Sequence, residues 1–440
     1  MSIKKNISFI FGSQIISTAI GFLSSIFITR ILGSEGRGDN TIFTNSIAFS
    51  VLFFGFSINS TIVYFINSQK AKAEELLSTI IILILCSTIL VYVTLDVLEY
   101  FNALYIALPP DIQSRSYKFI FSTLYFTTIL NGVLQAFLST YKKFKALSIY
   151  GTALQVVPAT LYCLMFYNII SFNHNDPFKS VIIVTFIVGI TSSIAILILF
   201  ARLLHIRPSK KLIPVSLLRQ FIFFSSMAYI GNIVTFLTYK LDFWVVDFYR
   251  GKSELGIYSL AAQLSQLLWL LPQSIATVLY AYASSSEEQQ AINYTTKLQQ
   301  VAFYATLIFG VAGLGLAYFF IPVLYGQEFA PAFHLMCIFM IGIIPFSITT
   351  VLASLYAARG NFKISFIISL IIFIFSSIMY LTLIPKFGLF GGAISSALAY
   401  LISSIISELW FCKLYSVSTY NLLMIKKDIF SMTKFLNLFK

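Results

Sequence analysis

Charged residues and glycines cluster in one short stretch of this 440-residue chain, from Arg30 to Asn40. The stretch separates residues 6–29 from residues 40–69, two runs that contain no Asp, Glu, Lys or Arg. It holds two arginines (Arg30 and Arg37) and two acidic residues among three glycines. Glycine lets a backbone approach a ligand closely, and the guanidinium fork matches phosphate oxygens. The stretch therefore predicts the mouth of a site.

The composition around this stretch excludes a soluble protein. The chain is 58% hydrophobic and 10% charged, with a mean hydropathy of +0.88, whereas soluble proteins carry about 25% charged residues. Twelve stretches of at least 20 residues lack Asp, Glu, Lys and Arg, which is the length a helix needs to cross a bilayer. They are 6–29, 40–69, 76–95, 119–141, 146–175, 180–201, 220–239, 255–286, 298–327, 329–358, 364–385 and 387–407. We predict an all-α integral membrane protein with about twelve transmembrane helices.

The positive charges predict the orientation of these helices. If the N-terminus is cytoplasmic, 20 of the 29 Lys and Arg residues fall in cytoplasmic connections and the other nine do not. Cytoplasmic loops normally carry this excess. Both termini are therefore predicted to be cytoplasmic, and the Arg30–Asn40 stretch to face outward. The net charge of +13 is attributed to membrane topology, so no nucleic-acid partner is expected.

Two recurring patterns predict a tandem repeat. The Ser-Glu pair at Ser34 returns 219 positions later at Ser253, and the Phe-Lys pair at Phe144 returns 218 positions later at Phe362. Two lobes of six helices each would share one orientation, with a pseudo-twofold axis along the membrane normal. The predicted domains are an N-terminal lobe (1–201), a cytoplasmic linker (202–219), a C-terminal lobe (220–412) and a basic tail (413–440). For the tail, an interfacial amphipathic helix and disorder both stay open.

The repeat also predicts a new register for the seventh helix. If the first helix covers residues 6–32, its counterpart is about 225–251, which places Lys240 and Asp242 well inside the membrane. Ionisable groups there are costly and usually line a cavity. Asp247 shares a helix face with Lys240, but Asp242 does not. Asp242 therefore needs a partner from another helix, or it carries a coupling proton or sodium ion.

Several motifs resemble one known family. The segments RILGSEGRG after the first helix and LDFWVVDFYRGKSELGIYSLAAQL across the seventh and eighth helices resemble the polysaccharide-transport branch of the multidrug/oligosaccharidyl-lipid/polysaccharide (MOP) exporter superfamily. So do LPQSIATVLYAYAS, PVLYGQEFAPAFHLM and LIPKFGLFGGAISSALAY, and the resemblance extends to about Phe411. One departure is Asp39-Asn40, where the family usually has an apolar or aromatic residue.

This resemblance implies a flippase of the Wzx type. Such proteins move an undecaprenyl-pyrophosphate-linked O-antigen or capsule repeat unit from the cytoplasmic to the outer leaflet by alternating access, in an ion-coupled cycle. The implied architecture is a V of two six-helix lobes around a central cavity. The implied setting is the bacterial inner membrane, with membrane lipid, a polysaccharide polymerase and a chain-length regulator as partners of a monomeric protein. No cofactor and no metal site are expected, and the coupling gradient is left open between protons and sodium.

A pyrophosphate that crosses hydrocarbon needs cationic partners. Arg30, Arg37 and Lys240 are the candidates, although Arg30 could instead extend to lipid headgroups. Arg37 is expected to be the more exposed of the two arginines, because it lies in the predicted loop. Gln263, Gln266 and Gln273 recur at spacings of three and seven, so they are candidates for hydrating a sugar. Hydrogen bonding between helices explains such a stripe equally well. Asp242 and Asp247 are the candidates for ion coupling.

Two other classes of protein fit the sequence less well. A cation-coupled multidrug exporter of the same superfamily would favour acidic cavity residues, and the helices here offer more Arg and Lys. A membrane enzyme would need catalytic carboxylates, but the longest predicted outer loop, 96–118, holds only three dispersed acidic residues. No glycine-rich nucleotide-binding loop is present either. We therefore predict a transporter without enzymatic activity.

Overall fold

The computed structural model of the protein describes residues 3–170 and 176–417, with side chains described except at 3–11, 60, 227 and 228. The regular elements in these ranges are α-helices and short 3-10 turns. The α-helices are α1 (Ile3–Gly55), α2 (Ile58–Asn67), α3 (Ala73–Tyr100), α4 (Arg115–Thr140), α5 (Phe144–Phe166), α6 (Pro177–Leu204), α7 (Val215–Arg250), α8 (Lys252–Gln266), α9 (Leu270–Ala283), α10 (Glu288–Tyr325), α11 (Ala332–Ala358) and α12 (Phe362–Tyr415). The part of the predicted tail from residue 418 onward lies outside the described residues.

Ten helical segments of the described chain are long and apolar enough to cross a membrane. Two of them, α1 and α12, each bend at a glycine: α12 contains two of the predicted stretches, and α1 contains one and the first part of the next. The bend in α1 is at Gly33 (φ 64°, ψ −171°), and the bend in α12 is at Gly388 (φ 58°, ψ −136°). Only glycine adopts such angles readily. The all-helical membrane fold is thus confirmed, and the two bends account for the difference between ten segments and twelve stretches.

Two turns of the chain recur at an interval of 218 residues. Gly33 corresponds to Gly251, which also has a positive φ (81°) and lies between α7 and α8. Lys142 (φ 58°) corresponds to Gly360 (φ 73°), and each lies two residues before a helix that begins with Phe. These equivalent turns support the tandem repeat. They also agree with the predicted end of the seventh helix near residue 251, because α7 continues well past the apolar stretch to Arg250.

The described chain forms two compact units, Met1–Ile233 and Val234–Lys440, and the division between them falls inside α7. The connection between α6 and α7 belongs to the first unit. It packs on the start of α3, where the Ile213 amide donates to the Thr79 hydroxyl over 3.1 Å and the Ser209 amide donates to the Glu74 carbonyl.

The N-terminal unit is built around α4, whose side chains Tyr125, Val133 and Phe137 are almost completely buried. Polar side chains inside it bond to one another, because no water is available in hydrocarbon. Asn131 on α4 donates to the Ser192 hydroxyl on α6 (3.1 Å) and accepts from the Tyr150 hydroxyl on α5 (3.0 Å). This network fixes three helices against one another.

An ion pair joins α3 and α4 at one end of this unit. Lys118, near the start of α4, is 5% exposed. Its ammonium donates to Asp96 and to Glu99 near the end of α3, the latter over 2.7 Å. Both carboxylates remain about half exposed. The buried ammonium of Lys118 is therefore paired with two carboxylates that remain in contact with solvent.

The C-terminal unit is built around α11, which packs closely on α12. A Cβ atom at Gly342 would lie 2.4 Å from the Ala397 carbonyl oxygen, so the two backbones touch where these residues meet. Gly392 plays a similar part, since a Cβ there would lie 2.9 Å from the ring of Tyr258 on α8. Small residues at such crossings let membrane helices approach closely.

Candidate functional site

A cavity of about 270 Å³ lies inside the C-terminal unit, among α7, α9, α11 and α12. Its lining consists of five aromatic residues, eight Ser or Thr residues, Gln273 and three aliphatic residues. None of these lining residues is charged. The volume is slightly below the range of about 300–1,000 Å³ typical of small-molecule sites. The cavity is therefore suited to a small neutral group that can form hydrogen bonds.

Four of the aromatic residues form one cluster at this cavity. Tyr239 comes from α7, Trp269 from the 3-10 turn between α8 and α9, Phe346 from α11 and Tyr400 from α12. Every pair of rings has its centroids between 5.1 and 6.1 Å apart. Such distances give favourable edge-to-face and offset contacts. The cluster holds four separate segments of the unit in position around the cavity.

Three polar atoms at the cavity are buried and have no hydrogen-bond partner in the described part of the chain. They are Trp269 Nε1, Thr349 Oγ1 and Ser407 Oγ. A buried polar group without a partner is costly, so such groups normally bond to protein, water or a ligand. The indole N–H of Trp269 can only donate, whereas the hydroxyls of Thr349 and Ser407 can donate or accept. Together they indicate a ligand, or water in its place, with both donors and acceptors.

The three predicted glutamines have different surroundings in the structure. Gln273 lines the cavity, whereas Gln266 hydrogen bonds to the Tyr400 hydroxyl and Gln263 is exposed. The prediction assumed one continuous helix, but α8 ends at Gln266 and a 3-10 turn separates it from α9. This turn lies between Gln266 and Gln273, and the role of the three glutamines in hydrating a sugar stays a prediction.

Asp242 lies in the interior of the C-terminal unit and is 4% exposed. Its Oδ2 accepts a 2.6 Å hydrogen bond from the Tyr258 hydroxyl on α8, and its Oδ1 accepts from the backbone amide of Phe243. The Tyr258 hydroxyl also lies 3.4 Å from Ser396, which in turn lies 3.0 Å from the Tyr380 hydroxyl. Tyr258 is thus a hydrogen-bond partner from another helix, which was one of the two alternatives stated for Asp242.

Lys240 and Asp247 occupy different surroundings on the same helix. The Lys240 ammonium lies 4.6 Å from the centre of the Phe243 ring, a distance at which a cation is attracted to the ring face. Asp247 is 2.7 Å from the ammonium of Lys252 at the start of α8. Asp247 therefore has a cation in a salt bridge, whereas Asp242 interacts with Lys240 electrostatically but without a salt bridge in the described chain.

The glycine-rich stretch differs from the predicted loop. Gly33 alone makes the turn, and the chain is helical again from Ser34 onward. Arg37 consequently lies in a helix and is 7% exposed, where its guanidinium donates to the Thr29 hydroxyl. Arg30 is exposed. The expectation that Arg37 is the more exposed arginine was wrong, because a one-residue turn leaves no loop to carry it outward.

The aromatic cluster was not predicted from the sequence. Its members lie far apart in the chain and share no motif, so only the packing of four segments brings them together. One signal was available. Trp269 lies near the middle of the apolar stretch 255–286, whereas tryptophan in membrane helices is enriched at the two interfaces.

Comparisons with known proteins agree with this fold. The lipid II flippase MurJ, in an inward closed conformation, matches 98% of this chain and 92% of its own with a TM-score of 0.73 and 18% identity. An inward-facing multidrug resistance MATE transporter of the MOP superfamily matches 91% and 98% with a TM-score of 0.67 and 14% identity. A MOP-superfamily transporter from Pyrococcus furiosus matches 94% and 96%, with a TM-score of 0.63 and 12% identity. No curated protein matches the sequence.

These matches confirm the MOP-transporter fold that the motifs predicted, in a multi-pass membrane protein. The sequence provides the more specific relation. The family model described as polysaccharide biosynthesis protein matches residues 3–287, which is more than half of the chain. The chain therefore belongs to the polysaccharide biosynthesis protein family.

Proposed function

We propose that this protein is a flippase that moves an undecaprenyl-pyrophosphate-linked oligosaccharide from the cytoplasmic to the outer leaflet of the bacterial inner membrane. The cargo would be an O-antigen or capsule repeat unit, and the movement would follow alternating access. In this proposal both termini are cytoplasmic. The protein works as a monomer alongside a polysaccharide polymerase and a chain-length regulator.

The observation that carries this proposal is the uncharged, hydroxyl-rich cavity of the C-terminal unit. A sugar ring presents hydroxyls that both donate and accept, and apolar C–H faces that pack on aromatic rings. The cavity offers unpartnered groups at Trp269, Thr349 and Ser407 beside the four-ring cluster. Its volume admits about one ring at a time. We infer that it receives one sugar residue of the cargo.

The cationic residues are candidates for binding the pyrophosphate of the cargo. A pyrophosphate needs charge-assisted hydrogen bonds, which an exposed guanidinium such as Arg30 can form in bidentate fashion. Lys240 is the second candidate, since its ammonium lies against an aromatic ring and forms no ion pair among the described contacts. Arg37 already donates to Thr29. We therefore assign it a supporting part, in which it orders the turn that presents Arg30.

Coupling to an ion gradient is assigned to Asp242. Its carboxylate is buried and is held by hydrogen bonds from Tyr258 and a backbone amide, so binding and release of a proton or a sodium ion would change the local charge. Asp247 suits this role less well, because Lys252 already compensates its charge.

The experiment that tests the proposal measures flipping of a lipid-linked oligosaccharide in proteoliposomes. Trp269→Phe keeps an aromatic ring in the cluster but removes the indole N–H together with the second ring of the indole, a loss of ring volume that the control below shares. The loss of one hydrogen bond of about 1 kcal/mol should slow flipping about five-fold. Trp244→Phe is the matched control, because Trp244 contacts Phe236 and does not line the cavity. Equal rates for both variants would contradict a role of the cavity in sugar recognition.

The runner-up function is a cation-coupled multidrug exporter. A cationic drug would need a carboxylate in the wall of its site, and none of the residues lining the cavity is acidic. The same proteoliposomes distinguish the two functions. Uptake of an organic cation, without any movement of the lipid-linked oligosaccharide, would favour the exporter.

A further inference from the structure

A carboxyl that the proposed function does not use lies near the end of α12. Glu408 is in the C-terminal unit, seven residues before Tyr415, which ends the helix. It belongs to a region whose core is apolar, with Leu298 of α10, Leu355 of α11 and Phe411 of α12 almost completely buried. An ionised carboxylate in such surroundings is costly unless it is paired.

The described contacts give Glu408 one hydrogen bond, from a neutral side chain. The amide Nε2 of Gln299 on α10 donates to Glu408 Oε1 over 3.3 Å. Gln299 is itself 2% exposed. Two further atoms of this pair, Glu408 Oε2 and Gln299 Oε1, are buried and have no partner in the described chain. Two contacting side chains therefore each retain one unsatisfied oxygen.

Counting donors identifies what the pair lacks. An ionised carboxylate can only accept hydrogen bonds, and so can an amide oxygen. Two acceptors cannot satisfy each other. A protonated carboxyl gains an O–H group, which can donate to the amide oxygen while the amide N–H donates to the other carboxyl oxygen. One added proton thus supplies the donor that this acid–amide pair lacks.

The charged and titratable neighbours do not provide another solution. Tyr356 on α11 and Cys412 on α12 interact electrostatically with Glu408, and both are neutral at neutral pH. The Tyr356 hydroxyl donates to the Ser407 carbonyl. Arg359, after the end of α11, donates to the Ser286 carbonyl over 2.9 Å. Among the described residues, no cation is paired with Glu408.

We propose that Glu408 is an exchangeable protonation site, separate from Asp242, which holds a proton while it is closed against Gln299. The proton sits on Oε2 and is shared with Gln299 Oε1. Resting on the proposed function, we further assign this proton to the transport cycle, in which separation of α12 from α10 would release it. A sodium ion between the same oxygens is the competing occupant.

Infrared difference spectroscopy of the full-length protein in lipid nanodiscs tests the site directly. The difference between spectra recorded at acidic and at alkaline pH should contain the carbonyl stretching band of the protonated Glu408 carboxyl. Glu408→Gln should abolish that band. This variant should fold, because a glutamine can donate to Gln299 Oε1 and accept from Nε2 as the protonated acid does. Glu254→Gln is the control that should keep the band, since Glu254 pairs with Arg250 at the surface.

Three results would overturn parts of the proposal. An unchanged spectrum for Glu408→Gln would show that this carboxyl does not titrate. Binding of radioactive sodium that is lost in Glu408→Gln would make sodium the occupant. A lost band combined with flipping that still follows a pH gradient would remove Glu408 from the transport cycle, while the flippase function would stand. If the wild-type protein shows the band but moves no lipid-linked oligosaccharide, the protonation site stands and the proposed function fails.

Discussion

The hydrogen bond between Tyr258 and Asp242 can be weighed by a double-mutant cycle. Tyr258→Phe removes the donor, Asp242→Asn removes the charge, and the double variant closes the cycle. The two oxygens are 2.6 Å apart, which lies within the range of about 2.5–2.7 Å for an O–H group bonded to a carboxylate. Both side chains are buried. The geometry therefore indicates an ionised acceptor.

The expected coupling energy follows from two magnitudes. Hydrogen bonds to charged groups contribute about 1.5–3 kcal/mol, whereas those between membrane helices average about 0.6 kcal/mol. Because the amide oxygen that Asp242→Asn introduces would still accept the weaker bond, the cycle measures the difference between the two. We expect a coupling of about 1–2 kcal/mol in the free energy of unfolding.

The assay is equilibrium unfolding in mixed micelles, followed by the loss of helical circular dichroism. Tyr380→Phe is the matched control. Its hydroxyl bonds to Ser396 and to the Thr238 carbonyl, which are both neutral. That variant should lose about 0.6 kcal/mol and should couple to Asp242→Asn more weakly than Tyr258→Phe does, because Ser396 and Tyr258 lie between Tyr380 and the carboxylate. A Tyr258 coupling below about 0.5 kcal/mol would refute the ionised acceptor in this conformation.

The remaining predictions concern the cations and the turns. Arg30→Ala and Lys240→Ala should abolish delivery of surface polysaccharide in a flippase-null strain at matched membrane levels, and Arg30→Lys should only partly restore it, because ammonium lacks the bidentate fork; normal polymer from both alanine variants would contradict this. Gly33→Ala should destabilise the protein by about 1–3 kcal/mol because of its positive φ, whereas Gly151→Ala, with open space at its Cβ, should be neutral or stabilising by thermal unfolding. Lys118→Met should lower the free energy of unfolding by about 1 kcal/mol, because Asp96 and Glu99 can be rehydrated. Breaking a fully buried ion pair would cost roughly 3–5 kcal/mol. A loss above about 3 kcal/mol in the same unfolding assay would show that the pair behaves as a buried one.

The fold could be predicted from the sequence because membrane helices obey a strong local rule. Each predicted apolar stretch contains a helix, since a backbone in hydrocarbon must satisfy its own hydrogen bonds. The recurring pairs at Ser34 and Phe144 gave an interval that matches the turns at Gly33 and Gly251. What hydropathy alone missed was the end of α7, because Lys240 and Asp242 lower the local average although their helix continues to Arg250.

The candidate site was less predictable, for reasons of geometry. The position of Asp242 inside the membrane followed from its place in the sequence, together with two alternatives for it: a partner from another helix or a coupling ion. The identity of Tyr258 did not follow. The cavity depends on side chains from four segments, and only Gln273 among its lining residues was named beforehand. Glu408 lies just beyond the last apolar stretch, and no pattern in the sequence marks it. Only its contact with Gln299 distinguishes it from a surface acid.

The equivalent turns at Lys142 and Gly360 reach the same left-handed backbone at different thermodynamic costs. Lys142 has φ 58° and Gly360 has φ 73°. A lysine in this region is strained in the folded state by about 1–2 kcal/mol. A glycine has no such strain, but its unfolded chain samples more conformations, which folding must then restrict. The first turn therefore carries folded-state strain at Lys142, whereas the second turn is unstrained at Gly360 and incurs a larger loss of entropy on folding.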